Sequence, residues 1–344
     1  MVVRTTTFGT DLWASVIGLA IALLGFWVFR SDARAAEGEP EAPKRIPVIL
    51  DTDIGDDIDD TWALAFALKS PELDIKLVVG DQGKTLYRAK LIAKLLEAAG
   101  RTEIPVGMGV GPQTGGGGQS AWVEGYDLKS YPGKVYEDGV QAIIDTIMKS
   151  PQPITLIAYG PLPNVAAALE REPKIAEKAR FVGMHGSVRK GYGGSEKVSA
   201  EWNVRADAKA CQKALSAPWD VTITPLDTCG LVHLTGEKYK KVRDSKDPLA
   251  AAVIANYRIW SEDKEAAESR SSTLFDTVAI YLGFSDDLLK IEKLTIRVTD
   301  DGFTVIDPSG KMMRVATEWK DMGAFEDLLV RRLTGPTVKP PARQ

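Results

Sequence analysis

Residues 48–68 read VILDTDIGDDIDDTWALAFAL. An apolar run, Val48 to Leu50, leads into six aspartates within ten residues, at 51, 53, 56, 57, 59 and 60, and these lead into a second apolar stretch, Trp62 to Leu68. The first run is short and β-branched, like a buried strand, and the second has the length of a helix. Strand, acidic turn and helix in that order open a βα unit. One aspartate at the start of a helix is explained by capping and by the helix dipole. Six are not, because neighbouring carboxylates about 4 Å apart repel by ~1–4 kcal/mol per pair. A hard cation coordinated by oxygens is the economical counterweight.

The same alternation continues along the chain. Strand-like runs fall at 46–50, 74–80, 153–160, 180–184 and 221–226, and helical patterns at 60–69, 85–99, 138–149, 163–171 and 206–216. Short apolar runs alternating with helices predict an α/β fold, a single-domain, open, mostly parallel sheet with helices on both faces. Residues 111–133, GPQTGGGGQSAWVEGYDLKSYPG, interrupt the rhythm as a long Gly-rich loop carrying Trp122 and Tyr126, and such loops in compact domains are functional or disordered. Helices are expected within 235–264 and at 274–282. A small C-terminal β-meander is expected over 293–317, turning at Asp301-Gly302 and Pro308-Ser309-Gly310, with a closing helix at 321–333. The domain spans 46–335, a tail follows at 336–344, and no internal repeat is visible.

With 344 residues, 44% hydrophobic content and a formal net charge of −4, the chain can bury a full core but lacks the basic surface that nucleic acid requires. Residues 12–29 carry no charge and precede Ala33 and Ala35 in A-x-A spacing. Residues 1–36 therefore read as a signal peptide cleaved near Ala35 or Ala36, or as an uncleaved signal anchor, since the apolar segment approaches the length of a membrane span. Either reading places the domain outside the cytoplasm, in the periplasm or beyond the cell, behind a linker at 37–45. The membrane is a partner only through that segment. The two cysteines, Cys211 and Cys229, make no disulfide framework and are expected unpaired and buried.

Three readings of the aspartate cluster compete. An EF-hand loop needs glycine at its sixth position, and counting from Asp51 that position is Asp56, so this reading fails. A haloacid-dehalogenase-type phosphatase also places D-x-D after an apolar strand, but Gly55 stands where that family normally shows Thr or Val. The third is a resemblance. ILDTDIGDDIDDTWALAFAL is similar to the N-terminal signature of the calcium-dependent nucleoside hydrolases of the inosine–uridine-preferring type. VVGDQG, GRTEIPVGMG, YGPLPNVAAAL, FVGMHGS, AEWNVRADAKAC, TPLDTC and LFDTVAIYL resemble, in order, further segments of that family between about Pro47 and Leu333.

The resemblance implies a Rossmann-like fold and a Ca2+ ion held by Asp53, Asp60, the carbonyl of Pro163 and Asp276, with Asp57 as an extra candidate. Two additional residues in the first motif leave its register open, and the helix anchor favours Asp59 and Asp60 as the family's paired aspartates. The implied reaction is hydrolysis of the N-glycosidic bond of a ribonucleoside by a calcium-bound water, with Asp53 as general base. Asp59, Asp276 and Asn203 would hold ribose hydroxyls, Glu201 the 5′ side, and Met184 would pack on the sugar beside Trp202. Asp81 stands where the family commonly has Asn. Many members protonate the leaving base with a histidine just before the late aspartate, and here that residue is Phe275. His185 and His233 are the only histidines. Stacking on Trp122 or Trp260 is the expected substitute, with Tyr126 and Tyr257 also available. Loss of the acid also admits a nucleoside- or ribose-binding protein that keeps the calcium pocket without turnover. Family members often form homo-oligomers.

Overall fold

Alternate residues of the first strand, β1 (Ile46–Thr52), belong to different cores: Val48 and Leu50 pack on one face of the sheet and Ile49 on the other. A strand buried on both faces must be covered by helices on both. The computed structural model describes residues 45–337, and they form that architecture. After β1 come α1 (Asp59–Leu68), β2 (Leu73–Gly80), α2 (Thr85–Ala98), β3 (Val106–Met108), β4 (Val135–Tyr136), α3 (Gly139–Lys149), β5 (Ile154–Ala158), α4 (Pro163–Arg171), α5 (Ile175–Lys178) and β6 (Ala179–Met184). Then follow α6 (Trp202–Ala206), α7 (Ala208–Ser216), β7 (Val221–Thr224), α8 (Gly236–Arg243), α9 (Pro248–Trp260), α10 (Lys264–Ser269) and α11 (Phe275–Leu282). The chain closes with β8 (Leu289–Val298), β9 (Thr304–Ile306), β10 (Lys311–Trp319) and α12 (Met322–Thr334). The ten strands form one sheet in the order β4-β3-β2-β1-β5-β6-β7-β10-β8-β9.

Helix α1 is buried at all ten positions. A helix apolar all round belongs inside, and α1 is packed among α9, α11 and α12 as well as β2. This central position brings its two leading aspartates into the interior. Lys69, at the end of α1, has a side chain 1% exposed and pairs with Asp247 at 2.6 Å. Asp247 also caps α9 by accepting the N–H groups of Leu249 and Ala250.

Several boundaries differ from the sequence expectation for local reasons. Strands β3 and β4, of three and two residues, are too short to show a pattern, but extend the sheet in parallel beyond β2. The expected helix at 206–216 breaks at Asp207, whose side chain caps α7 through Ala210 N–H. The helical stretch 235–264 divides where Asp247-Pro248 starts α9 with its own cap. The C-terminal meander is not a separate appendage, because β10 pairs in parallel with β7 and antiparallel with β8. Loop 111–133 carries only two 3-10 turns, at Ser120–Val123 and Leu128–Ser130. Cys211 and Cys229 are buried and free. The expected signal segment at 12–29 and its cleavage site lie outside the described residues.

The buried pair between α1 and α9 carries a test. Asp247→Ala leaves the buried Lys69 ammonium with only the Gly335 carbonyl and uncaps α9, so stability should fall by roughly 3–5 kcal/mol, whereas Asp247→Asn, retaining a capping oxygen, should lose less. Denaturant unfolding measures both, and a loss below about 1 kcal/mol for the alanine variant would show that the pair does not hold the helices together.

Candidate active site

The neighbours of β1 are β2 on one side and β5 on the other, so the chain reverses its direction across the sheet at β1. The crevice at the carboxyl ends of strands at such a switch point is the usual ligand position in open α/β sheets. The aspartate loop emerges there. A cavity of about 110 Å³ is lined from this loop by Asp53, Asp56, Asp57, Asp59 and Asp60, from after β5 by Tyr159, and from the end of β6 by Met184. Tyr192, Glu201, Trp202, Asn203, Phe275 and Asp276 complete it. A larger cavity of about 800 Å³ lies at the opposite ends of the strands, where Arg180, Lys293, Lys311 and Arg314 outnumber its two carboxylates, Asp220 and Asp286.

Asp59 and Asp60 occupy the first turn of α1, and Asp276 that of α11. One oxygen from each lies within 4.8 Å of the others, and all three residues are buried. Neither helix has a side-chain cap, so their aspartates are not committed to capping. Asp60 accepts the Thr52 hydroxyl at 2.5 Å, and Asp59 accepts the Asp276 backbone N–H at 3.3 Å. Burial pushes the Asp59, Asp60 and Asp276 carboxyls well above the usual carboxylate range, and mutual repulsion adds to it. Burial raises Asp53 to about 6, with the Arg88 guanidinium opposing, and Asp51 to about 7. Asp51 Oδ2 and both oxygens of Asp81 have no hydrogen-bond partner. Buried carboxylates at this density, all oxygen donors, fit a hard divalent cation.

The loop is braced from outside the cavity. Arg88 donates to the carbonyls of Asp53 and Ile54 and, with Lys84, pairs with Asp56. Gln119, fully buried, donates to the Asp57 carbonyl at 3.0 Å and accepts the Thr61 hydroxyl at 2.9 Å. Tyr87 hydroxyl donates to the Gly55 carbonyl. At Gly55, with φ of 113°, a Cβ would lie 2.5 Å from the Tyr87 ring. At Gly160 a Cβ would lie 2.7 Å from both Asp53 N and Asp81 Oδ2, so the chain after β5 passes against Asp53 only because this residue is glycine.

The expected site residues fall into two groups. Asp53, Asp57, Asp59, Asp60, Met184, Glu201, Trp202, Asn203 and Asp276 all line the one cavity. Glu201 and Asn203 also have structural partners: Glu201 accepts the N–H groups of Gly186, Asn203 and Val204, and Asn203 Nδ2 donates to the Met184 carbonyl. Pro163 opens α4 and does not line the cavity. Trp122 and Trp260 do not line it either. Trp122 packs on the core beneath the Lys94 ammonium, and Trp260 donates its indole N–H to the Asp56 carbonyl at 2.9 Å, as a further brace on the loop. Tyr159 and Tyr192, not singled out in the sequence, supply aromatic lining in their place. Tyr159 follows a strand end and was discoverable by position, whereas Tyr192 lies in an irregular loop with no pattern. His185 is fully buried, with Nε2 3.0 Å from the Gly160 carbonyl, and His233 is near Thr273; neither lines the cavity.

The model for inosine-uridine preferring nucleoside hydrolases matches residues 48–327. The chain belongs to that family. It is 30% identical over 281 residues to the inosine-uridine preferring nucleoside hydrolase of Leishmania major, covering 76% of this chain and 87% of the relative. It is 31% identical over 294 residues to the non-specific ribonucleoside hydrolase RihC of Escherichia coli (79% and 91%). A solved plant nucleoside hydrolase, PpNRh1, superposes with a TM-score of 0.71 at 25% identity, over 85% of this chain and all of that one. A Bacillus anthracis structure at 20% identity, covering 84% and 99% with a TM-score of 0.68, shares the fold.

Two outcomes follow from this geometry. A divalent cation bound by the native cluster alone should raise the Tm, by about 2.7 kcal/mol of stabilisation at a hundredfold excess over Kd; scanning calorimetry with calcium and with chelator measures it, and no shift would remove the cation. The second concerns pH. Burial depresses His185 from 6.5 to about 4, so the unfolded chain takes up its proton first. Its contribution is complete above about pH 6.5 and falls by roughly 3 kcal/mol as pH drops towards 4. The difference between the stability profiles of wild type and His185→Gln should show that acid limb, and parallel profiles would refute it.

Proposed function

We propose that the protein hydrolyses the N-glycosidic bond of ribonucleosides to ribose and free base, with calcium as its cation. The observation that carries this reading is the buried Asp59–Asp60–Asp276 group beside Asp53, at the switch point of a sheet belonging to a nucleoside hydrolase family. Asp60 and Asp276 would hold the ion with Asp53. When bound, calcium supplies a Lewis-acid charge that polarises oxygens brought to it.

The remaining chemistry belongs to the chain. Asp53, 6% exposed, accepts the proton of the attacking water, and its place among buried carboxylates favours taking up that proton. Water adds to C1′ as the bond to the base stretches, through an oxocarbenium-like state. Asn203 has its amide nitrogen engaged by Met184, which leaves its oxygen to accept a sugar hydroxyl. Asp59 accepts another hydroxyl, Glu201 receives the 5′ side, and the Met184 side chain gives the sugar an apolar surface. We also propose that the enzyme works outside the cytoplasm, a reading supported by the uncharged segment 12–29 and the alanines that follow it.

Ribose release from a nucleoside panel, with purified enzyme and calcium, tests the reaction. Asp53→Asn keeps a ligand oxygen but cannot take the proton, so kcat should fall by about 10²–10⁴ with a smaller change in KM. A variant with near wild-type kcat would remove Asp53 from the role of base, and a wild-type enzyme that releases no ribose would end the proposal.

A further inference from the structure

The lining of the cavity is lopsided in charge. Seven of its side chains are carboxylates, from Asp53, Asp56, Asp57, Asp59, Asp60, Glu201 and Asp276, and none is Lys, Arg or His. Lys84 and Arg88 pair with Asp56 without lining the cavity, so one divalent ion still leaves an excess of negative charge. Asp57, exposed at the mouth, has no basic partner among the described residues. The rest of the mouth is aromatic. Tyr192 and Trp202 are 44% and 47% exposed, and the Tyr192 ring meets Phe275 edge-on at 6.1 Å. Tyr192 hydroxyl accepts the Trp202 backbone N–H at 2.9 Å, which holds the two residues together. The Arg205 guanidinium lies 5.4 Å over the Trp202 ring without lining the cavity, so the Tyr192 and Phe275 rings and the carboxylates are what a base at the mouth would meet.

A sugar held by the buried carboxylate floor places its base towards this mouth. A neutral nucleoside whose base leaves without being protonated delivers an anion there, against Asp57 and beside the π-faces of the aromatic wall, both of which disfavour negative charge. A base carrying a fixed positive charge meets the opposite situation, being attracted when bound and neutral when it leaves.

We propose that the cavity selects ribosides whose base bears a fixed positive charge, an N-ribosylpyridinium or an N7-alkylated purine riboside, over neutral nucleosides. This deepens the N-riboside hydrolase reading and rests on it. The step balances without a donor to the base. Water oxygen bonds to C1′, the C1′–N bond breaks, its electron pair stays on the ring nitrogen and cancels the positive charge, and the water proton goes to Asp53. The departing neutral base then loses the attraction that held it.

Steady-state kinetics of the calcium-loaded enzyme on four substrates test the proposal: nicotinamide riboside, 7-methylinosine, inosine and 4-nitrophenyl riboside. The last is uncharged when bound and leaves as a stable phenolate, and so reports bond lability without attraction to the base. Both cationic ribosides should exceed inosine in kcat/KM by about 10²-fold or more. Their advantage over nitrophenyl riboside should shrink several-fold between about 0.05 and about 0.5 M salt, and about tenfold in Asp57→Asn. Preference for only one of the two cationic substrates supports the proposal and identifies the ring that fits. Inosine turned over as fast as both cationic ribosides overturns it, as does a cationic preference that neither salt nor Asp57→Asn reduces. No turnover of any of the four overturns the hydrolase reading itself, which separates the two failures.

Discussion

Asp53, Asp59, Asp60 and Asp276 are buried around one cavity whose lining contains no basic side chain, and their repulsion sets the terms for the surrounding structure. Two of them start α1 and one starts α11, so the positive ends of two helix dipoles point at the group. That compensation is partial, since a helix N-terminus carries about half a unit charge. A divalent cation would supply the remainder, and, with ligands from residues far apart in sequence, it would also join the first βα unit to the last helix before the C-terminal strands.

Holding such a loop in place without a basic residue in the cavity requires support from behind. Arg88 takes the carbonyls of Asp53 and Ile54, while Gln119 and Trp260 take those of Asp57 and Asp56. These contacts fall on backbone oxygens, so they fix the path of the loop and leave the carboxylates to face the ligand. The Gly-rich loop 111–133 thus has a structural task on its buried side. Its Trp122 and the distant Trp260, expected at the base, act instead on the framework.

The mouth of the cavity is aromatic and acidic. Phe275 occupies the position next to Asp276, Tyr192 packs its ring against it, and both histidines are spent elsewhere. An aromatic and acidic surface of this kind holds no imidazole, and it suits positive charge. Phe275, where the family resemblance implies an imidazole, thus belongs to the aromatic wall on which the proposed preference for positive charge rests.

The sequence by itself determined the mostly parallel α/β sheet, the places of its main strands along the chain and the aspartate row at 51–60, since β-branched runs, helical periodicity and an uncompensated row of carboxylates are local signals; Asp276 came only from the family resemblance. It did not determine which residues share a surface. Two-residue strands such as β4 form only because β3 offers an edge, and β10 joins β7 through a long-range pairing that no local pattern encodes. Tyr192 reaches the site on an irregular loop, and Trp260 turns its indole to a carbonyl behind it. Aromatic side chains satisfy core, brace and ligand surface equally well as isolated residues, and only tertiary packing, which decides what lies against each ring face and each N–H, separates those roles.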